Sequence, residues 1–149
     1  MSEWKSLLDD AISRGDVSME AGANIDLYLE GSNSQVGPAA ILELLKSCEW
    51  QEIDDRFFKT MAFGTGGLRG RTIGKIVTQA ERGVGGPLDR PEHPCVGTAS
   101  MNFFNLKRAM IGLVRYVKKS FSGEGRPSLV IGHDTRHFSR DFAETCANV

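Results

Sequence analysis

Phe63-Gly64-Thr65-Gly66-Gly67-Leu68-Arg69-Gly70 sets four glycines and one arginine in eight residues, at the point where the chain changes character. Before it the sequence follows helical periodicity; after it come short β-like runs separated by loops. Glycine lets backbone amides approach an anion closely, and arginine adds a two-pronged clamp for phosphate. The stretch reads either as a phosphate-binding loop or as a flexible turn joining a helix to a strand. A dinucleotide fingerprint needs a strand before its glycines and a helix after them. Here the order is reversed, which argues against a nicotinamide or flavin site. A nucleotide-triphosphate loop is excluded as well, because Gly74-Lys75 lacks its spacing and is followed by Ile76.

Upstream, Trp4, Leu7, Leu8, Ala11 and Ile12 form one apolar stripe at helical spacing, with Gly15 as a stop signal. Ser18 is placed to cap a second helix carrying Ala21, Ile25, Tyr28 and Leu29 and ending at Gly31. Pro38 suits the first turn of a third, with Ile41, Leu44, Leu45 and Cys48 on one face. A fourth, from Gln51 to Met61, buries Ile53, Phe57 and Met61.

Downstream, Arg71 to Val77 is a short β-like run, and residues 78–94, with three glycines and three prolines, read as a long exposed loop. Cys95 to Thr98 is a brief strand candidate. Ser100 is expected to cap a helix that turns Phe103, Leu106, Met110, Leu113, Val114 and Val117 inward. Leu129-Val130-Ile131-Gly132 has the composition of a buried strand in a parallel or mixed sheet. Ser139 is expected to cap a last helix using Phe142, Ala143 and Cys146. Two or three short strands under five or six helices leave sheet edges unpaired, so the chain reads as truncated.

The bulk numbers describe an ordinary globular chain, with 40% hydrophobic and 25% charged residues. No apolar run approaches the roughly 18–20 residues of a membrane span, and no secretion signal opens the chain. Cys48, Cys95 and Cys146 are scattered, which fits reduced thiols and a cytoplasmic protein with no membrane partner. Residues 1–60 carry 12 acidic and 5 basic side chains, whereas residues 61–149 carry 7 acidic and 13 basic. A basic half points to an anionic partner. Nucleic acid is not expected, because no aromatic single-strand platform or zinc-finger spacing accompanies the arginines.

A second candidate site is Gly132-His133-Asp134-Thr135-Arg136-His137-Phe138-Ser139, which follows the apolar run where an α/β sheet binds ligands. It is open to two readings, a sugar-phosphate site or an Asp134–Arg136 pair that shapes the turn. His133 and His137 straddle that turn without a third ligand, and His93 sits in a loop, so no metal site is expected. Thr98-Ala99-Ser100 is followed by Met101-Asn102 and has no adjacent general base, so Ser100 reads as a helix cap and not a nucleophile.

Together, Asp55-Arg56-Phe57-Phe58 leading into the glycine–arginine stretch, the helix from Asn102 to Tyr116, and Ile131 to Ser139 resemble the α-D-phosphohexomutase superfamily. The acidic helical start is similar to that of its longer phosphoglucomutase/phosphomannomutase branch, with residues 78–94 as an insertion. The resemblance implies a three-layer α/β/α domain with a mixed sheet, incomplete in residues 51–149 and preceded by a helical N-terminal extension over residues 1–50. It implies an enzyme interconverting hexose 1-phosphate and hexose 6-phosphate through a phosphoserine and a bisphosphorylated sugar, with a glucose 1,6-bisphosphate-type activator. Mg2+ would be held by the phosphoserine and by aspartates outside this chain, and the partners would be the sugar phosphate and the remaining mutase domains. Arg69, Thr65, Gly66 and Gly67 would bind the phosphate, and Asp134 and Arg136 would brace the loops. The Thr-Ala-Ser-His-Asn-Pro motif of relatives is absent from these residues, so the catalytic serine would lie downstream and residues 1–149 alone are expected to be inactive. The alternative is a non-catalytic anion-binding module using Arg69, Arg71 and Lys75.

Overall fold

The computed structural model describes residues 2–149. Among these described residues seven helices follow in order: α1 (Glu3–Arg14), α2 (Met19–Gly31), α3 (Val36–Lys46), α4 (Trp50–Phe57), α5 (Gln79–Arg82), α6 (Phe103–Ser120) and α7 (Ser139–Ala147). The chain divides into two compact units, one ending at Asn102 and one formed by Phe103–Val149.

In the first unit the stripes legible in the sequence meet one another. Leu8 and Ala11 of α1, Ile25 and Tyr28 of α2, Ile41, Leu44 and Leu45 of α3, and Ile53 and Phe57 of α4 are buried. Helix α3 touches α1, α2, α4 and α5. Tyr28 meets Phe57 edge-on, with ring centroids 6.0 Å apart, and Asn24 Nδ2 donates to the Phe57 carbonyl at 2.7 Å. The start of α2 is capped as expected: Ser18 Oγ accepts the Ala21 amide at 3.2 Å and donates to Asp54 Oδ1 at 2.8 Å. Cys48 is not on the α3 face. It lies past the helix end with φ 56° and is exposed.

The α/β/α expectation is overturned. The described chain is 51% helix and 1% strand, with no sheet. Among the described residues the β pairing that forms is an isolated bridge between Gly64 and Gly67. Segments 71–77 and 95–101 do approach each other, through Cys95 N donating to Thr72 O and Met101 N donating to Arg71 O. One residue step on the first segment faces six on the second, whereas a ladder advances equally on both. Leu129-Val130-Ile131 lies exposed, Val130 fully so. Four apolar residues make a strand only when a neighbour supplies hydrogen-bond partners and a covering face.

Residues 78–94 are not wholly loop. Thr78-Gln79-Ala80-Glu81 is a capping box opening α5, and the Glu43 carboxylate of α3 accepts the first amides of that helix, Ala80 N at 2.9 Å. Ser100 does not cap α6; it sits three residues before the helix, 2% exposed, with its hydroxyl 3.3 Å from Cys95 Sγ. In the second unit, α6 turns Leu106, Met110, Val114 and Val117 to half-buried positions, while Leu113 is exposed. Phe103 and Phe138 both pack on Phe142, at 5.3 and 5.9 Å between centroids. Ser139 is the first residue of α7, and Phe138, with φ 66°, holds the cap position.

Ile41→Ala should lower the unfolding free energy by about 2–5 kcal/mol, because it opens a cavity where α3 meets its neighbours. Val130→Ala, at an uncovered position, should change it by less than about 0.5 kcal/mol. Urea unfolding of the two variants distinguishes them.

Candidate functional site

The glycine–arginine stretch folds into a tight two-residue hairpin. Gly64 N donates to Gly67 O at 3.2 Å and Gly67 N donates back to Gly64 O at 3.0 Å, leaving Thr65 and Gly66 at the tip. Gly67 takes φ 90°, a conformation open to glycine at little cost. The Arg69 guanidinium folds back over Gly66 so closely that a Cβ there would collide with Nη2, with Cζ at 3.1 Å and Nε at 3.2 Å. Position 66 must therefore be glycine for Arg69 to lie where it does. Thr65, Gly66, Gly67 and Arg69, the four predicted phosphate-binding residues, thus share one turn, and Thr65, Gly66 and Arg69 are exposed.

The nearby cations differ from Arg69. Lys75 Nζ binds Asp55 Oδ2 at 2.7 Å, and Arg71 binds Glu52 at 3.4 Å and Asp55 at 3.6 Å. Lys75 in particular holds the Asp55 carboxyl below its usual range. Arg69 makes no ion pair among the described residues. Of the three cations first considered for an anion, it is the one left uncompensated.

A buried ionic cluster in the same unit went unassigned in the sequence. Arg56 is 0% exposed, between Glu52 at 5% and Glu81 at 1%. Its Nε donates to Glu52 Oε1 at 2.8 Å. Nη1 donates to Glu81 Oε1 at 2.6 Å and to Val96 O at 3.4 Å, and Nη2 to Glu81 Oε2 at 3.3 Å and to Ile76 O. All five N–H groups are used. Burial opposes the charge, but the Cys95 sulfur and the carboxylates of Glu81 and Glu52 outweigh it and hold Arg56 above its ordinary value. Glu81 also accepts the Val96 amide at 2.7 Å and the Thr78 amide and hydroxyl at 3.0 and 2.9 Å. At Gly97 a Cβ would sit 2.6 Å from the Arg56 carbonyl oxygen, so glycine lets that segment close on the cluster. Two sequence signals could have found it: Glu52 and Arg56 at i, i+4 on a helix, and the Thr78/Glu81 capping box.

In the second unit, Asp134 and Arg136 do form a turn-shaping pair. Arg136 Nε and Nη2 both reach Asp134 Oδ2 at 2.7 Å, the Arg136 amide donates to Oδ1 at 3.0 Å, and Asp134 N donates to Ser139 Oγ at 3.1 Å. The Arg136 backbone amide, then its side chain and the Ser139 hydroxyl, lower the Asp134 carboxyl to about 2. His133 and His137 are exposed, and among the described residues no three His, Cys, Asp or Glu groups could share a metal ion.

Arg56→Ala leaves two carboxylates buried without their cation and should cost about 3–5 kcal/mol in urea unfolding. The depressed Asp134 carboxyl keeps its turn intact above pH 3.8 and releases it as the pH falls toward 2. An NMR titration should place its midpoint near 2. Arg136→Ala should raise that midpoint only part of the way, because the backbone amide still donates.

Residues 94–149 match the family described as phosphoglucomutase/phosphomannomutase, alpha/beta/alpha domain I. A phosphoglucomutase of Staphylococcus aureus (strain bovine RF122 / ET3-1) is 30% identical over 95 residues, 64% of this chain and 13% of that protein. Phosphoglucomutases of Staphylococcus epidermidis (strain ATCC 35984) and Staphylococcus aureus (strain USA300) are each 29% identical, over 60% and 62% of this chain and 12% of their own lengths. The chain therefore spans about an eighth of the length of these relatives. No solved structure matches it. Among the described residues no helix is long and apolar enough to cross a membrane. Over residues 94–149 the chain is similar to domain I of the phosphoglucomutase/phosphomannomutase family, and the phosphoglucomutase relatives carry that similarity over 60–64% of its length.

Proposed function

We propose that these residues belong to a phosphosugar mutase that interconverts hexose 1-phosphate and hexose 6-phosphate, glucose being the favoured hexose, in the cytoplasm. The observation that carries this reading is Arg69, an exposed guanidinium without an ion pair, laid over Gly66 in a hairpin of small residues. A migrating phosphoryl group spreads negative charge over three oxygens, and catalysis consists mainly of fixed cations and amide donors waiting for it. Arg69 presents a planar fork suited to two of those oxygens at once. Thr65 and Gly66 form the wall beside it, and Asp134 with Arg136 holds the shape of a separate loop.

The catalytic serine and the Mg2+ ligands are proposed to lie outside these residues, in the remaining mutase domains, with a bisphosphorylated hexose as activator. Bound Mg2+ would neutralise phosphoryl charge. Ser100 is not that serine: its hydroxyl is buried against Cys95 Sγ and shielded from a phosphoryl donor. The anion-module alternative loses support from the ion pairs of Arg71 and Lys75, which leave one of its three cations uncompensated.

In the full-length enzyme, Arg69→Ala should lower kcat by on the order of 10²–10³-fold, as expected for loss of one preorganised donor to a developing anion. Gly66→Ala should also lower it, by displacing Arg69. Steady-state turnover of glucose 1-phosphate checks both, and wild-type rates for Arg69→Ala would end the proposal. Incubation with glucose 1,6-bisphosphate followed by peptide mass spectrometry should find Ser100 unphosphorylated.

A further inference from the structure

We infer that Arg56 is a positioning residue for Arg69, acting through the segment 96–101 on which both feet of the glycine–arginine loop stand. The inference rests on the phosphate-loop reading of Arg69 and names what holds that side chain in place.

The loop leaves its helix after Phe57 and is tied down at Met61, whose amide donates to Thr98 O at 2.8 Å. It returns at Arg71, whose carbonyl accepts the Met101 amide, also at 2.8 Å. Both anchors thus fall within four residues of one irregular segment, which no sheet supports. Asn102 Nδ2 holds that segment from within, donating to Cys95 O and Gly97 O, Thr98 Oγ1 donates to Lys59 O, and Arg56 ties it to helix α4. The Arg56 carbonyl accepts the Ala99 amide at 2.9 Å, and its Nη1 donates to Val96 O. Its partner Glu81 holds the Val96 amide. The approach at Gly97 leaves no room for a side chain between segment and helix. A second route reaches the returning foot directly, because Glu52 accepts from Arg56 Nε at one oxygen and pairs with Arg71 at the other. A hairpin held only by its own two backbone bonds gets its placement from its feet, so the spacing of those feet sets where the guanidinium of Arg69 is presented. An error of about 1 Å in such a group is worth on the order of 10²-fold in rate.

The test is a double-mutant cycle in the full-length enzyme, using Arg56→Lys, Arg69→Ala and the two combined. Lysine keeps the charge but cannot bridge Glu52, Glu81 and the two carbonyls together. Arg56→Lys should lower kcat by about 10–100-fold. Its effect on kcat should shrink to less than about 3-fold when Arg69 is already alanine, while the fall in Tm is the same in both backgrounds. An equal loss of kcat in both backgrounds, or a folded Arg56→Lys enzyme with wild-type kcat, overturns the positioning role. Should Arg56→Lys fail to fold, Glu52→Gln takes its place: it keeps an acceptor for Arg56 and weakens the hold on Arg71. The same coupling to Arg69 is expected, and additivity overturns the inference. If Arg69→Ala alone leaves turnover unchanged, the phosphate-loop reading itself falls and takes this one with it; a crippled Arg69→Ala with additive Arg56→Lys removes the positioning role alone.

Discussion

A guanidinium taken out of water costs several kcal/mol unless its N–H groups all find acceptors and its charge finds partners. Arg56 meets that demand by drawing on four stretches of chain that are otherwise loosely related. Glu52 comes from its own helix, Ile76 from the run after the hairpin, Glu81 from the capping box, and Val96 from the irregular segment beyond. None of those stretches joins a sheet, and two of them, at Ile76 and Val96, are irregular. The buried ion thus supplies the cross-links that backbone ladders supply elsewhere. A cluster of this kind adds little net stability over an apolar core, but it tolerates few alternative arrangements, because each one strands a buried charge.

The same ionic logic separates the exposed cations by role. Asp55 and Glu52, on one helix, neutralise Lys75 and Arg71, which lie close to the hairpin in sequence. Arg69 stays outside that network. The missing side chain at residue 66 leaves room for its guanidinium over the turn, and no ion pair among the described residues draws it elsewhere. An anion arriving at the hairpin meets an exposed guanidinium that makes no ion pair among the described residues, which suits a phosphoryl group and gives reason to treat Arg69 separately from its neighbours. The acidic character of residues 1–60 has a local use here: part of it holds structural cations away from the loop.

The second unit is simpler. Phe142 gathers Phe103 and Phe138 into one aromatic cluster, and Asp134 closes its loop on Arg136 and Ser139. That pair is exposed and screened, so its effect is to choose a turn conformation more than to stabilise the fold.

Helix positions, the Ser18 cap and the glycine–arginine turn were legible because they depend on residues within one or two turns of each other. The Leu8/Ala11, Ile25/Tyr28 and Ile41/Leu44 stripes, the Ser18 cap and a turn within Gly64 to Gly67 each declare themselves over a handful of positions. Thr78 and Glu81 declared a cap too, in a region dismissed as loop because its prolines and glycines weighed more. The sheet failed because a strand is a relation between two segments: Leu129-Val130-Ile131 has the composition of one and no partner, and 71–77 meets 95–101 out of register. Arg56 was visible as part of a family motif, yet its role required Glu81 and Val96, twenty-five and forty residues away, to arrive at one point. Sequence by itself determined which side chains could pair or clamp. Tertiary structure alone decided which of them were buried together and which of Arg69, Arg71 and Lys75 was left without an ion pair among the described residues, because burial and charge compensation are set by neighbours distant in the chain.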